Sequence, residues 1–202
     1  MSGILVVREL TDADLSAAVG IVARGMRDNP LHVAAFGTDA ELRSRRLMRM
    51  FTVALPFIFS KGVVLGAFDG EALTGIAGMV PPGHCRASLT EKLGVMPRLV
   101  PAVGGGAFAR VSRWMSAWAQ RDLREAHWHL GPVAVDAHLQ GQGIGTLLMT
   151  EYCARLDRAH AAGYLETDKA SNVTFYARFG FETIASAPVL ETPNWFMKRG
   201  GG

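Results

Sequence analysis

The chain has little cysteine, no long apolar run and almost no charge imbalance, and each shortage removes a class of protein. Its 202 residues hold two cysteines, Cys85 and Cys153. Two thiols close at most one bridge, and their spacing is not that of a metal-binding pair, so no metal is expected. Cys153 sits inside an apolar helical pattern and reads as a buried, inert thiol. The longest uncharged apolar stretch, "MFTVALPFIFS", is far short of a bilayer span. The start of the chain reaches Arg8 and Glu9 before any apolar run long enough for a signal peptide. The expectation is a cytoplasmic protein with no membrane partner. Basic residues number 21 against 18 acidic, a net charge of +3, with no block of lysine and arginine such as a nucleic-acid footprint needs. A small polyanionic ligand suits that lean better than nucleic acid does.

What is present is globular. Hydrophobic residues make up 49% and charged residues 19%, enough to bury a core over this length. The simplest reading is one domain over residues 1–202. "ILVVREL" reads as a first strand. Thr11 or Asp12 can cap the following helix, with Leu15, Val19, Val22 and Met26 at helical spacing and "DNPL" as its stop. A second helix is expected from about Asp39 to Phe51, with Leu42, Leu47 and Met50 inward. Arg43, Arg45, Arg46 and Arg49 then form a solvated face. "GVVLGAFDGEALTGIAGMV" reads as a hairpin turning at "DGEA". A helical insertion of about 87–125 follows, interrupted by Pro97, Pro101 and Gly104 to Gly106. Its apolar stripe is Phe108, Val111, Met115 and Trp118 with Trp114 beside it, either core or a lid over a pocket. "HWHLGPVAV" is the next strand, and a proline inside a strand removes a ladder donor, so a bulge or a parting is expected at Pro132. Helix, strand, short helix and two strands complete the chain.

Between the Pro132 strand and its helix lies "HLQGQGIGTLLMTEYCARL", with glycines at 141, 143 and 145 directly before an apolar helix. Bare glycines let the backbone approach an anion, and the helix N-terminus favours its charge. A Walker loop needs lysine after its last glycine, and here Thr146 follows Gly145. A dinucleotide-binding G-x-G-x-x-G fails in both frames, because its third glycine falls on Thr146 or Leu148. That leaves a nucleotide-dependent oxidoreductase as a weak rival.

The remaining pattern, Q-x-x-G-x-G at Gln140, Gly143 and Gly145, resembles the pyrophosphate-binding signature of the GNAT acyltransferases. Two further pieces occur in that family's order. "VAV" at Val133, Ala134 and Val135 matches the strand that holds the acyl-pantetheine arm. "LETDKASNVTFYARFGF" resembles the closing strand, short helix and aromatic pair, with a feel closest to the puromycin N-acetyltransferase type. The resemblance implies an α/β fold with a mixed, mostly antiparallel central sheet flanked by helices. It also implies acetyl-CoA as cosubstrate, held by Val133, Ala134, Val135, Gln140, Gly141, Gln142, Gly143, Ile144, Gly145, Thr146, Asn172, Phe175 and Tyr176. Thr146 stands where the family usually has a small residue. Asn172 stands nearer Tyr176 than the family spacing places its asparagine, and helix capping by Ser171 or Asn172 is an equal reading.

The implied activity is direct acetyl transfer to a primary amine of a small molecule, by a monomer or homodimer. Peptide or protein amines are the alternative acceptors, and a non-catalytic acyl-CoA-binding module is the rival from another class. Tyr176, placed by the resemblance beside the coenzyme sulfur, is the candidate general acid; a core aromatic is the bland reading. Backbone N–H groups of Val133 or Val135 are candidates for the oxyanion. For the amine's proton, Glu166 ranks first and His129 second, against a salt-bridged glutamate and surface histidines.

Overall fold

The computed structural model describes residues 4–85 and 89–201; the expected first residues of the insertion, and Gly202 of the glycine tail, lie outside them. Seven strands form one sheet: β1 (Leu5–Glu9), β2 (Val63–Asp69), β3 (Ala72–Val80), β4 (Trp128–Val135), β5 (Gly163–Thr167), β6 (Glu182–Val189) and β7 (Thr192–Arg199), in the order β1-β2-β3-β4-β5-β7-β6. Every neighbouring pair is antiparallel except β4 and β5. The fold expected from the resemblance is therefore present. The β2–β3 turn falls where "DGEA" predicts it, on Gly70 at φ 60.

Alternation along the strands feeds two cores, one on each face of the sheet. Val64, Phe68, Ile76 and Ala134 face α1 (Leu15–Gly25), α2 (Pro30–Phe36), α3 (Ala40–Lys61) and α5 (Gly105–Ala119), among Ile21, Phe36, Leu47, Leu55 and Trp114. Leu65, Ala77, Met79, Leu130, Leu165 and Met197 face the other way, against Leu148, Tyr152 and Leu156 of α6 (Ile144–Arg158) and Tyr176 of α7 (Ala170–Ala177). Cys153 is buried in this second core, where burial pushes its thiol up to about 11, as suits an inert packing residue. Both cysteines are unbridged. No described helix is long and apolar enough to cross a membrane.

Several local expectations need correction. "DNPL" follows the end of α1 at Gly25 as expected, but a further helix, not foreseen, starts within it, with Pro30 at the first helical position, where its missing N–H costs nothing. The second expected helix runs on to Lys61, through Pro56, from its cap at Asp39, whose carboxylate accepts from the Glu41 and Leu42 amides. Arg43 is not on a solvated face. It is buried, and it donates to the Arg27 and Gly37 carbonyls at 2.7 and 2.8 Å and to Asp28 at 2.6 Å. Arg46 likewise reaches the Phe36 carbonyl at 2.9 Å. The guanidinium is the group best able to satisfy the carbonyls left free where α1 and α2 end.

The insertion is a helix pair. α4 (Leu89–Val103) runs through Pro97 and Pro101, because Leu99, Ala102 and Val103 pack it against the first core. The break comes only at Gly104, φ 83. The buried face of α5 is Ala107, Val111 and Trp114, flanked by Phe108 and Trp118, whereas Met115 is 53% exposed. Trp114 meets Trp118 and His32 edge-on, and Trp118 Nε1 donates to Asn194 Oδ1 at 3.0 Å. These indoles are built into the core and do not lie over it as a lid.

Candidate active site at the splayed sheet

β4 and β5 pair only at Trp128–Gly163 and His129–Tyr164 and then part. On its other side β4 bulges. Ala77 faces Val133 and Met79 faces Leu130, so Gly131 and Pro132 together oppose Gly78. A side chain at Gly78 would meet the Gly131 carbonyl at 2.6 Å, which is why glycine stands there. The parting expected at Pro132 thus opens a cleft in the sheet. The Asp136 amide bonds Thr74 across to β3 at 2.9 Å. Alternation from that point turns the N–H groups of Val133 and Val135 away from β3, into the splay.

The glycine loop closes one end of this cleft. Gly141 and Gly143 have φ 81 and 84, a region that L side chains rarely enter, and a side chain at either would meet nothing within 4 Å. The first bond of α6 runs from Leu147 N–H to the Gly143 carbonyl at 3.0 Å, so the amides of Ile144, Gly145 and Thr146 have no partner within the helix. An open face of bare glycines over a row of unsatisfied N–H groups fits a pyrophosphate. At Gly145 an added side chain would come into ordinary contact with Phe175, at 3.4 Å. Thr146 points outward, so the larger residue there is accommodated. The Gln140 amide nitrogen donates to the Gly25 carbonyl at 3.0 Å and the Val135 carbonyl at 3.2 Å, tying the loop to the end of α1.

The cleft encloses ≈ 490 Å³. Every residue expected at the coenzyme lines it except Gln142, whose side chain turns back to the His138 carbonyl at 3.4 Å. Neither Ser171 nor Asn172 caps α7; Lys169 holds that position, and the Asn172 amide donates to Thr167 Oγ1 at 3.0 Å. Tyr176 lines the cleft while its ring is buried against Phe175 and Phe181. Burial, and secondarily the Asp168 carboxylate, hold its phenol well above the ordinary range, so it keeps its proton. Asp168 itself is raised by burial, against the Leu31 amide that it accepts at 2.7 Å.

Glu166 and His129 come together, but behind the cleft and not on its lining. Oε2 of Glu166 is 2.9 Å from Nε2 of His129, and the Glu166 side chain is 2% exposed. Burial works to lower the His129 pKa, and the Glu166 charge and hydrogen bond, with Cys85 and Asp122, together outweigh it and raise it. His127 shares that face, beside Tyr164, and burial there is likewise outweighed by Asp122, Cys85 and the Glu125 carbonyl, to about 10. Sequence reasoning missed Gly25, Met26 and Asn29 between α1 and α2, and Lys169 and Arg178 around α7. Arg178 lies over the Phe175 ring at 5.1 Å; its only signal is a cation two residues after the aromatic pair.

Comparison with known proteins agrees with this geometry. The sequence model of the acetyltransferase (GNAT) domain matches residues 103–183. A structure described as histone acetyltransferase HPA2 and related acetyltransferase, from Corynebacterium glutamicum, superposes with a TM-score of 0.77 at 23% identity, over 98% of this chain and 97% of that one. Arylalkylamine N-acetyltransferase 2 from Aedes aegypti gives 0.66 at 10% identity, over 98% and 99%. A GNAT family acetyltransferase from Brucella melitensis, in complex with acetyl-CoA, gives 0.56 at 17% identity, over 98% and 89%. The family signature thus lies on residues 103–183, and over the rest of the described chain the likeness to these acetyltransferases is one of fold.

Proposed function

We propose that this protein transfers the acetyl group of acetyl-CoA to the primary amine of a small molecule, in one step within a ternary complex. The observation that carries the reading is one cleft with two unlike walls. On one side are the open glycines Gly141 and Gly143 and the first amides of α6, those of Ile144, Gly145 and Thr146; on the other is a buried, protonated Tyr176. The amides hold the diphosphate, and fixing the donor in this way supplies several kcal/mol of rate enhancement. The Val133 or Val135 N–H, turned into the splay, stabilises the oxyanion, a contribution of roughly 3 kcal/mol for such a donor. Tyr176 donates the proton that the departing thiolate takes. Lys169 and Arg178 add positive charge at the rim, suited to a polyanionic cosubstrate.

The acetyl-CoA complex of the Brucella melitensis relative supports the cosubstrate, and the arylalkylamine enzyme supports a small, partly apolar amine. A cleft of ≈ 490 Å³ is in the range of small-molecule sites. For the amine's proton we keep Glu166 ahead of His129. The carboxylate is the acceptor of the pair, and His129 Nε2 is committed to it at 2.9 Å.

Thermal unfolding with acetyl-CoA tests the cosubstrate. Saturation at a hundred times the dissociation constant stabilises by roughly 2.7 kcal/mol, which for this length is a rise of roughly 5–10 °C. No rise, or a rise with NADH instead, overturns the reading. Release of free CoA across a panel of small amines and peptides tests the acceptor. Turnover only with peptides would replace the small-molecule acceptor, and binding without turnover anywhere would leave an acyl-CoA-binding module. Glu166→Gln should lower turnover while acetyl-CoA still binds; unchanged turnover assigns that proton to water.

A further inference from the structure

Where β3 leaves the sheet and β4 enters it, Cys85, His127 and His129 place one ligating atom each within 4.8 Å of the others. They arrive from different parts of the chain: Cys85 from the turn after β3, the two histidines from the start of β4. His127 is 4% exposed, and Cys85 and the His129 ring are half-buried. Asp122, from the segment after α5, brings Oδ1 to 3.0 Å from His127 Nε2.

The ring nitrogens divide into two kinds. His127 Nδ1 lies 2.9 Å from the Glu125 carbonyl, an oxygen that only accepts, so this nitrogen carries the proton. Its Nε2 is buried and faces Asp122 Oδ1 at 3.0 Å. His129 Nε2 faces the Glu166 carboxylate at 2.9 Å and donates to it. His129 Nδ1 is buried with no hydrogen-bond partner. In both rings one N–H is held by an outer oxygen; the second nitrogen of His129 is buried and unused, and that of His127 faces the Asp122 carboxylate. A buried nitrogen left unsatisfied is costly, and this one stands beside a thiol and a second imidazole. This is the arrangement by which proteins orient histidines on a metal, one nitrogen to the ion and the other to a carboxylate or carbonyl.

We propose that Cys85 Sγ, His127 Nε2 and His129 Nδ1 bind a zinc ion. A thiolate with two imidazoles is a set that favours zinc over calcium or magnesium. Tetrahedral zinc needs ligand atoms roughly 3.3–3.8 Å apart, so the cluster contracts by about 1 Å, within reach of side-chain rotation. Binding releases the Cys85 thiol proton and the His127 Nε2 proton to solvent and forms the zinc–sulfur bond. The ion joins both ends of the segment carrying α4 and α5 at the start of β4, where that strand still pairs with β5. His129 then keeps Nε2 on Glu166 and gives Nδ1 to the ion, and it drops out as a base.

The test uses the full chain. The protein as purified is assayed for metal by mass spectrometry, stripped with a chelator and titrated with Co²⁺. The expected result is one equivalent bound, with a near-ultraviolet sulfur-to-cobalt charge-transfer band and the intense visible bands of a tetrahedral site. Cys85→Ser, a near-isosteric change at a half-buried side chain, should remove the charge-transfer band, and Cys153→Ser should retain it. Zn²⁺ should raise the melting temperature of the stripped wild type by several degrees and leave Cys85→Ser unmoved. Absence of the charge-transfer band in the wild type, its persistence in Cys85→Ser, or no thermal response to Zn²⁺ overturns the proposal. The acetyl-CoA thermal shift is read on the same samples, so failure of the metal site is separable from failure of the coenzyme cleft.

Discussion

One wall of the cleft is a continuous run of chain, Val133 to Thr146, whereas the facing wall is assembled from Gly25, Met26 and Asn29 together with Lys169 to Arg178. The continuous wall is made by local rules: a strand that bulges at Pro132, two glycines at positive φ, and a helix whose first amides have nowhere else to bond. The assembled wall depends on distant ties. Arg43 fastens the α1–α2 turn through Asp28 and two carbonyls, Asp168 holds the Leu31 amide, and Gln140 reaches the Gly25 carbonyl. A binding surface built from backbone geometry survives many side-chain changes, whereas one built from long-range hydrogen bonds moves when a single buried partner is lost.

The sharpest way to break the comparison is at Tyr176, which belongs to the assembled wall and which we propose acts on what the continuous wall holds. Tyr176→Phe is expected to lower kcat roughly 10²–10⁴-fold with little change in the acetyl-CoA dissociation constant; steady-state kinetics beside calorimetry check it, and an unaltered kcat removes the general-acid role. Arg43→Met tests the distant ties. Losing three charge-assisted hydrogen bonds should cost about 2–4 kcal/mol, a fall in melting temperature of roughly 5–15 °C. A change as small as that of an exposed arginine would show that the α1–α2 turn holds itself. Gly143→Ala tests the local rules, since its backbone at φ 84 strains any side chain by roughly 1–2 kcal/mol. Acetyl-CoA affinity should drop about tenfold while the fold is kept, and equal loss of affinity and stability would deny that the loop is local.

The smallest effect concerns pH. Arg27 and then Arg43 hold the Asp28 carboxyl down at about 2, against an ordinary carboxylate near 4. A depressed folded pKa gives stability that is complete above the unfolded value and is lost as pH falls toward the folded one. Asp28 should therefore contribute fully above about pH 4 and progressively less toward pH 2. Denaturation midpoints of the wild type and Asp28→Asn should converge over that window. Asp28 is 57% exposed, so the convergence is modest, and parallel curves would mean that solvent screens the pair.

Legibility followed the same division. The glycine loop, the parting at Pro132 and the sheet after His127 could be read because glycine, proline and strand alternation act on the backbone within a few residues. "DNPL" marks the stop of α1 but hides the start of α2, because a proline opens a helix as readily as it follows one, and only packing against α3 decides that a second helix forms. The Phe108–Met115 stripe was drawn one position off, since Trp114 rather than Met115 turns to the core. Glu166 and His129 were placed on facing strands correctly, but a strand pattern carries no information about depth, and both lie behind the cleft lining. Two cysteines at distant positions offer no metal spacing, and Cys85 meets the histidines only because β3 and β4 pair.

The sequence alone determined the place where the sheet opens and the glycine loop beside it, because these follow from short-range backbone preferences; the class of sheet was what the family resemblance implied. The tertiary structure alone decided that Arg43 is buried, that α5 is core, which residues face the glycine loop, and that Cys85 stands beside His127 and His129. Each of those depends on which distant surfaces meet and exclude water, and no local pattern records that.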